Sequence, residues 1–220
     1  MRSMLFVPAD SERKLAKSLS SPADALILDL EDSVAAARRP VARPMVAEFI
    51  KSARTSSARI PELWVRINPI DSPDALVDLA AVVPARPDGL LLPKARDGRD
   101  VMRFDYWLEA LEASHGLAAG GIKVIPMITE TAGAMLQLAS FVPTPARVVG
   151  MTWGAEDLAT ELGAAASRDE AGRYDMPYQM ASAGCLFTAA AAGVSGFIVP
   201  DLPFDEGEDF RRVLSEIGRA

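Results

Sequence analysis

Two acidic residues, Glu130 and Asp157, follow short apolar runs that have the length of buried strands. The runs span residues 123–128 and 147–151. Carboxylates from neighbouring strands can converge on one Mg²⁺, a hard cation that takes one or two protein carboxylates and keeps several waters. Capping of the next helix is the alternative for either acid, and spacing does not decide whether Glu156 or Asp157 faces inward. The pattern predicts a Mg²⁺ site at these strand ends.

Three more carboxylates, those of Asp29, Glu31 and Asp32, crowd the end of the apolar run at residues 25–30. Carboxylates this close repel one another unless a cation or hydrogen-bond donors relieve them. A helix start is the alternative, since a capping acid and an acidic first turn are favoured by the helix dipole. We expect these three acids to lie in or beside the metal site.

Arg66 lies inside an otherwise apolar run at residues 63–67. A buried guanidinium is costly without a partner, and its planar fork suits two-point capture of a carboxylate. A structural ion pair with one of the acids above is the alternative. Lys94 follows the run at residues 89–92 in a similar way, and its position is compatible with a Schiff base or with a structural salt bridge.

Other residues indicate which chemistry to expect and which to exclude. Arg2, Lys14 and Lys17 are placed to hold a phosphate-bearing cofactor tail, or they are scattered surface cations. The single histidine, His115, has a context that does not support Ser-His or Cys-His catalysis, and the ligand set for zinc is too poor. The lone Cys185 excludes an internal disulfide framework.

Apolar runs of strand length alternate with longer amphipathic stretches such as residues 74–83 and 101–114. The runs lie at residues 4–7, 25–30, 63–67, 89–92, 123–128, 147–151 and 196–199. Continuous apolar runs indicate strands buried on both faces, and the alternation indicates a parallel α/β fold. Charged or proline-bearing residues end most of these runs, which is typical of the mouth of a (β/α)8 barrel. A doubly wound open sheet is the alternative, although no Gly-x-Gly-x-x-Gly follows the first run.

Size and charge set the broad class. The chain has 220 residues, which suits one domain, so we expect a single barrel over residues 1–220. An eighth strand is not evident after the helical pattern at residues 209–217, and the predicted barrel is incomplete there. The net charge of −7 disfavours a nucleic-acid partner. No apolar run reaches the ~20 residues of a membrane helix, and no signal peptide is evident, so we expect a cytoplasmic protein.

Six segments in order resemble the citrate lyase beta subunit-like family, within the HpcH/HpaI aldolase/citrate lyase superfamily. They are Arg-Ser-Met-Leu-Phe-Val-Pro-Ala (2–9), Asp-Ala-Leu-Ile-Leu-Asp-Leu-Glu-Asp-Ser-Val (24–34), Trp-Val-Arg-Ile-Asn-Pro (64–69), Leu-Leu-Leu-Pro-Lys-Ala (90–95), Ile-Pro-Met-Ile-Thr-Glu-Thr-Ala (125–132) and Gly-Met-Thr-Trp-Gly-Ala-Glu-Asp-Leu (150–158). Six ordered motifs are far more specific than any one of them.

The resemblance implies a TIM barrel in a homo-oligomer, a trimer or a hexamer. It implies Mg²⁺ held by Glu130 and Asp157. It implies that Arg66 binds the substrate carboxylate, so that Arg66, Glu130 and Asp157 are the catalytic residues and Arg66 and Glu130 meet the substrate. The region of Arg2 and Lys14 resembles the part of the family that contacts a CoA-type thioester carrier.

The implied reaction is Mg²⁺-dependent cleavage of a citryl-, malyl- or citramalyl-CoA-like thioester to a 2-oxo acid and an acyl thioester. An aldolase acting on free hydroxy-keto acids is one alternative, and a family member that binds ligands without turnover is another. The segment Ala181-Ser182-Ala183 stands where the family commonly has an arginine.

Overall fold

Parallel strands alternate with helices along the chain, as the sequence predicts. The computed structural model describes residues 3–55, 59–194 and 196–198. The strands are β1 (Met4–Pro8), β2 (Ala25–Asp29), β3 (Glu62–Arg66), β4 (Gly89–Leu92), β5 (Lys123–Pro126), β6 (Gly150–Thr152) and β7 (Gly196–Ile198). β1 to β5 form one parallel sheet in sequence order, and β6 pairs in parallel with β7. Isolated parallel bridges, Val124 to Val148 and Met127 to Thr152, connect β5 and its end to β6.

In the described ranges, one α-helix lies between each pair of successive strands from β1 to β6, and two α-helices lie between β6 and β7. They are α1 (Glu12–Ser18), α2 (Arg39–Arg54), α3 (Asp74–Val82), α4 (Gly98–Ser114), α5 (Ala132–Met135), α6 (Ala155–Glu161) and α7 (Met176–Ala191). The pattern at residues 74–83 corresponds to α3, and that at 101–114 to α4. α4 begins earlier because the Asp97 side chain accepts hydrogen bonds from the backbone N–H groups of Arg99 and Asp100.

Each apolar run predicted as a strand overlaps a strand of the structure, and the bounds differ most at the sixth run. The run starts at Arg147, whereas β6 starts at Gly150. Arg147 is buried because its guanidinium pairs with Glu112 on α4, at 2.9 and 3.0 Å, and with Asp105. Its side chain is therefore directed to the helix layer.

Two separate apolar layers bury the two faces of the five-stranded sheet. One face packs against the helices. The other forms a small cluster made by strand residues, whose buried members are Ala25, Ile27, Trp64, Leu91 and Ile125. Trp64 is fully buried there. Gly89 makes room for it, since a Cβ at residue 89 would lie 2.2 Å from Trp64 Cζ3.

Some predictions fall beyond what the structure describes. The helical pattern at residues 209–217 and the end of the seventh run at Val199 lie outside the described residues. Closure into a (β/α)8 barrel and the single domain over residues 1–220 stay predictions, whereas the parallel α/β architecture is confirmed. Within the described part of the chain, no helix is both long and apolar enough to cross a membrane.

Candidate metal and substrate site

Asp29 and Arg66 occupy neighbouring positions at the carboxyl ends of β2 and β3, where they are register partners. The guanidinium donates from Nε to Asp29 Oδ1 at 2.7 Å and from Nη2 to Asp29 Oδ2 at 2.8 Å. The ring of Phe6 on β1 lies under the same guanidinium, and the distance from the ring centroid to Arg66 Cζ is 4.9 Å. Burial alone would raise the pKa of Asp29, but the hydrogen bonds and charge of Arg66 bring that pKa below its ordinary value.

Glu31 and Asp32 reach Arg66 on its remaining side. Nη1 lies 3.0 Å from Glu31 Oε2 and 3.3 Å from Asp32 Oδ2. The contact with Glu31 Oε2 is an ion pair without hydrogen-bond geometry. Glu31 is buried, and that burial raises the pKa of its carboxyl to about 7 despite the opposing effects of Arg66 and Lys94. Asp32 is more exposed, at 54% of its side chain.

Lys94 links the acids of β2 to those beyond β5 and β6. Its backbone is left-handed, with φ of 51°, and its N–H donates to Glu130 Oε2 at 2.5 Å. Its ammonium donates to Glu31 Oε1 and lies 3.2 Å from Asp157 Oδ1 and 3.5 Å from Asp32 Oδ1. Burial would lower the pKa of Lys94, but these carboxylates outweigh it and raise the pKa above the usual lysine value.

Glu130 is the most deeply buried acid among the described residues beyond β5, with 2% of its surface exposed. Burial raises the pKa of Glu130 to about 8, the Lys94 N–H opposes that rise, and the nearby Asp157 adds to it. Gly154 permits this placement because a Cβ there would lie 2.9 Å from both Cγ and Oε1 of Glu130. Gly154 also donates its N–H to Thr129 Oγ1 at 3.3 Å.

Asp157 and Glu156 stand in the first turn of α6. Asp157 turns towards Lys94 and Glu130 and keeps 28% of its side chain exposed. Glu156 is exposed. The orientation of α6 thus directs Asp157, and not Glu156, towards the strand ends, which spacing had left open.

Carboxyl groups outnumber cationic side chains in this cluster. The carboxylates of Asp29, Glu31, Asp32, Glu130 and Asp157 surround two cationic side chains, Arg66 and Lys94. Within the described ranges, no group of three or more His, Cys, Asp or Glu side chains is arranged to hold a metal ion. The pair Glu130 and Asp157 fits Mg²⁺ nevertheless, because its oxygens are hard donors and this ion takes one or two protein carboxylates.

The remaining predicted residues are placed as follows. Arg66 forms the ion pair with nearby acids that was the alternative to binding a substrate carboxylate. Its Nη1 is the guanidinium nitrogen that does not hydrogen-bond to Asp29. Lys14 is exposed in the first turn of α1, which follows the carboxyl end of β1. Arg2 lies outside the described residues. Lys94 forms the salt bridges that were the alternative to a Schiff base. The close approach of Gly154 to Glu130 was not predicted, although Gly154 stands three residues before Asp157 in the motif Gly-Ala-Glu-Asp.

A carboxylate pair and an arginine at the strand ends of a parallel α/β protein are groups with which proteins bind a divalent cation beside an anionic ligand. This chain belongs to the HpcH/HpaI aldolase/citrate lyase family, whose model matches residues 2–212. The family predicted from six motifs is thus confirmed.

Individual relatives are similar to this chain in sequence, and those with solved structures are also similar in fold. Citrate lyase subunit beta of Haemophilus influenzae is 32% identical over 196 residues, which are 89% of this chain and 64% of that protein. The citrate lyase beta subunit of M. tuberculosis, complexed with oxaloacetate and magnesium, is 30% identical with a TM-score of 0.72, over 91% of this chain and 80% of that one. CitE from Mycobacterium tuberculosis, in complex with magnesium, acetoacetate and coenzyme A, is 31% identical with a TM-score of 0.69, over 90% and 66%. The chain spans less than two thirds of the Haemophilus protein.

Proposed function

We propose that this protein is a Mg²⁺-dependent carbon–carbon lyase that cleaves a hydroxyacyl thioester to a 2-oxo acid and an acyl thioester. The observation that supports it best is the pair Glu130 and Asp157 beside the Arg66 cluster at the strand ends, linked to it through Lys94. Such a site combines hard metal donors with a guanidinium for an anionic substrate. The substrate would be of the citryl-, malyl- or citramalyl-CoA type.

We also propose that the strands form a (β/α)8-type barrel around this site. Two observations support it over a doubly wound sheet. The five-stranded sheet keeps strict sequence order, whereas doubly wound sheets reverse theirs. The Trp64 cluster on the second face is built from strand residues and their neighbours, whereas a doubly wound sheet covers both faces with helices. The cluster then fills the barrel interior beneath Arg66.

The chain's own residues divide the work of substrate binding. Asp29 holds two nitrogens of Arg66, which fixes the plane of the guanidinium. Nη1 is then the nitrogen that would meet the substrate carboxylate, at the place where it now pairs with Glu31 and Asp32. Positioned in this way, Arg66 would fix the substrate carboxylate and contribute electrostatic stabilisation.

Glu130 and Asp157 would hold the ion, and Asp29, Glu31 and Asp32 would lie beside it. Mg²⁺ bound there would supply Lewis-acid chemistry, making the substrate hydroxyl more acidic and orienting the bond to be broken. Lys94 fixes Glu130 through its backbone N–H, so one oxygen of that carboxylate is already oriented.

The partners of the whole protein are proposed on the same basis. A CoA-type carrier would approach the rim where Lys14 lies, and Arg2 is proposed for the same contact. The homo-oligomer, a trimer or a hexamer, and the cytoplasmic location remain predictions.

The test is an assay of oxo-acid release from citryl-, malyl- and citramalyl-CoA with Mg²⁺ and with EDTA. We expect release of oxaloacetate, glyoxylate or pyruvate from at least one thioester, and loss of it in EDTA. Glu130→Ala and Asp157→Ala are each expected to lower kcat/KM by at least ~100-fold, since losing a supporting residue near a metal already costs up to about that much. Glu156→Gln is the matched control, because its side chain is exposed beside Asp157.

Other outcomes would select the alternatives. Equal turnover in EDTA, or parent rates in either alanine variant, would contradict the metal assignment. Cleavage of free hydroxy-keto acids in place of their thioesters would indicate an aldolase. Mg²⁺ binding without cleavage of any of these compounds would indicate a family member that binds ligands only.

A further inference from the structure

Lys94 places an ammonium group inside the proposed metal site. We propose that Lys94 is a resident counter-cation, which neutralises the acidic side chains before Mg²⁺ binds and releases Asp157 when the ion arrives. This inference rests on the proposed metal site. Glu130 and Asp157 favour Mg²⁺ binding at this site, and Lys94 is proposed to oppose it.

The backbone directs Lys94 to both carboxylates of the metal pair. The left-handed backbone at φ of 51° is uncommon for a residue with a side chain, and such conformations persist where the surroundings enforce them. The N–H of Lys94 donates to Glu130, and its ammonium lies 3.2 Å from Asp157 Oδ1. One residue therefore contacts both proposed ligands with two different groups.

The charge balance gives this ammonium its role. Arg66 uses two of its nitrogens to bind Asp29. Among the described residues, Lys94 is the cation that contacts Asp157. The side chain of Lys94 is 27% exposed, and its ammonium is also held by Glu31. In the absence of the ion, Lys94 relieves repulsion among these acids.

Mg²⁺ bound at Asp157 would turn the favourable position of the Lys94 ammonium into a repulsive one. An ion on Asp157 would take an oxygen that Lys94 now contacts, and two cations at contact range repel strongly in a partly buried site. Lys94 must then move from Asp157 towards Glu31 and Asp32, which it already contacts. Part of the binding free energy of Mg²⁺ would be spent on this displacement.

A neutral residue at position 94 should have two effects of opposite sign. The metal-free protein should unfold at a lower temperature, because Glu31 and Asp157 lose their counter-charge. The dissociation constant for Mg²⁺ should fall, on the order of tenfold, because the ion no longer displaces a cation. A merely structural lysine would weaken both properties together.

The experiment is calorimetric titration of the full chain with MgCl₂, with thermal unfolding in EDTA as the second readout. Lys94→Gln and Lys94→Met should bind Mg²⁺ more tightly than the parent and unfold at lower temperature in EDTA. Lys94→Arg keeps the charge and should change the dissociation constant less than the neutral variants. Arg96→Gln is the matched control, since this nearby cation pairs with Asp71 and Asp100.

A second measurement uses the unaltered protein and does not depend on any variant folding. Acetic anhydride labelling of Lys94, read by mass spectrometry, should increase when Mg²⁺ is added, whereas labelling of the exposed Lys51 should not. Equal or weaker Mg²⁺ binding by the neutral variants, or unchanged labelling of Lys94, would overturn the counter-cation role alone. Failure of the unaltered protein to bind Mg²⁺ would overturn the metal site and this inference together.

Discussion

At the scale of single residues, the site depends on a few close contacts that leave little room. Glu130 is held between the backbone N–H of Lys94 and the backbone of Gly154. Asp29 and Arg66 form a two-point ion pair between adjacent strands. Small changes at these positions should alter ligand binding more than they alter the fold.

Gly154→Ala should displace Glu130, since the added methyl group would lie 2.9 Å from Cγ and Oε1. The backbone at residue 154 has φ of −133°, which alanine adopts freely, so the effect should come from contact and not from backbone strain. We expect Mg²⁺ affinity to fall by about tenfold, the lower end of the loss seen when groups that orient a metal ligand are changed. Gly133→Ala is the control, because a Cβ added at residue 133 would come no closer than 4.0 Å to another residue, at Thr131 Oγ1. Equal loss in both variants would contradict the role of Gly154.

Arg66→Lys removes the fork while keeping the charge. An ammonium cannot make both contacts with Asp29 that hold the guanidinium plane. We expect the KM for the oxo acid in the condensation direction to rise by about tenfold, with a smaller change in kcat, as measured by steady-state kinetics. Arg96→Lys serves as the control on an exposed ion pair. An unchanged KM would count against carboxylate binding by Arg66.

At the scale of strands and helices, the alternation of parallel strands with helices was predictable, whereas strand register and side-chain reach were not. Parallel strands in sequence order bring Asp29 beside Arg66, as the pattern of apolar runs implies. The choice between Glu156 and Asp157 depends on the phase of α6, which spacing does not define. The reach of Lys94 depends on a left-handed backbone that arises from tertiary contacts.

The buried ion pair between α4 and the start of the β6 region should make stability depend on pH. Burial would raise the pKa of Glu112, but hydrogen bonds from Arg147, Ile122 and Gly120 bring it below the ordinary value of 4.5. A depressed folded pKa stabilises the protein above the unfolded value, and this stabilisation is lost as the pH falls through the folded pKa. The free energy of unfolding of the parent should therefore decline as the pH falls below about 4.5.

Glu112→Gln should remove this part of the pH dependence and lower the free energy of unfolding at pH 7 by about 3 kcal/mol, the cost of breaking a buried pair. Urea unfolding at neutral and acidic pH measures both effects. Glu109→Gln, an exposed change on the same helix, should behave like the parent. A Glu112→Gln variant that loses as much stability on acidification as the parent would show that Glu112 does not contribute.

At the scale of the whole molecule, the two apolar layers on opposite faces of the sheet determine where the site lies. The helix-covered layer and the Trp64 cluster together bury both faces, which leaves the strand ends as the place for polar groups. The sequence predicted this organisation because continuous apolar runs indicate strands buried on both faces. The fit of Trp64 over Gly89 could not be predicted, since it depends on the register of β3 and β4.

Gly89→Ala should test the packing of that second face. Its methyl group would lie 2.2 Å from Trp64 Cζ3, so the tryptophan must shift. Overpacking of this kind lowers the free energy of unfolding by about 1–3 kcal/mol, measurable by urea titration. In a Trp64→Leu background the same change should cost less, because the ring atoms it meets are absent. Additive effects would contradict direct contact between residues 89 and 64.

The most direct test of the metal site is a crystal structure of the protein soaked with Mn²⁺ as an anomalous stand-in for Mg²⁺. We expect one strong anomalous peak within ~2.2 Å of carboxylate oxygens of both Glu130 and Asp157, close to the Mg²⁺–oxygen distance in proteins. The ammonium of Lys94 should have moved away from Asp157 in the same crystals. A peak bound by other residues, or none at this pair, would contradict the assignment of Glu130 and Asp157 as metal ligands.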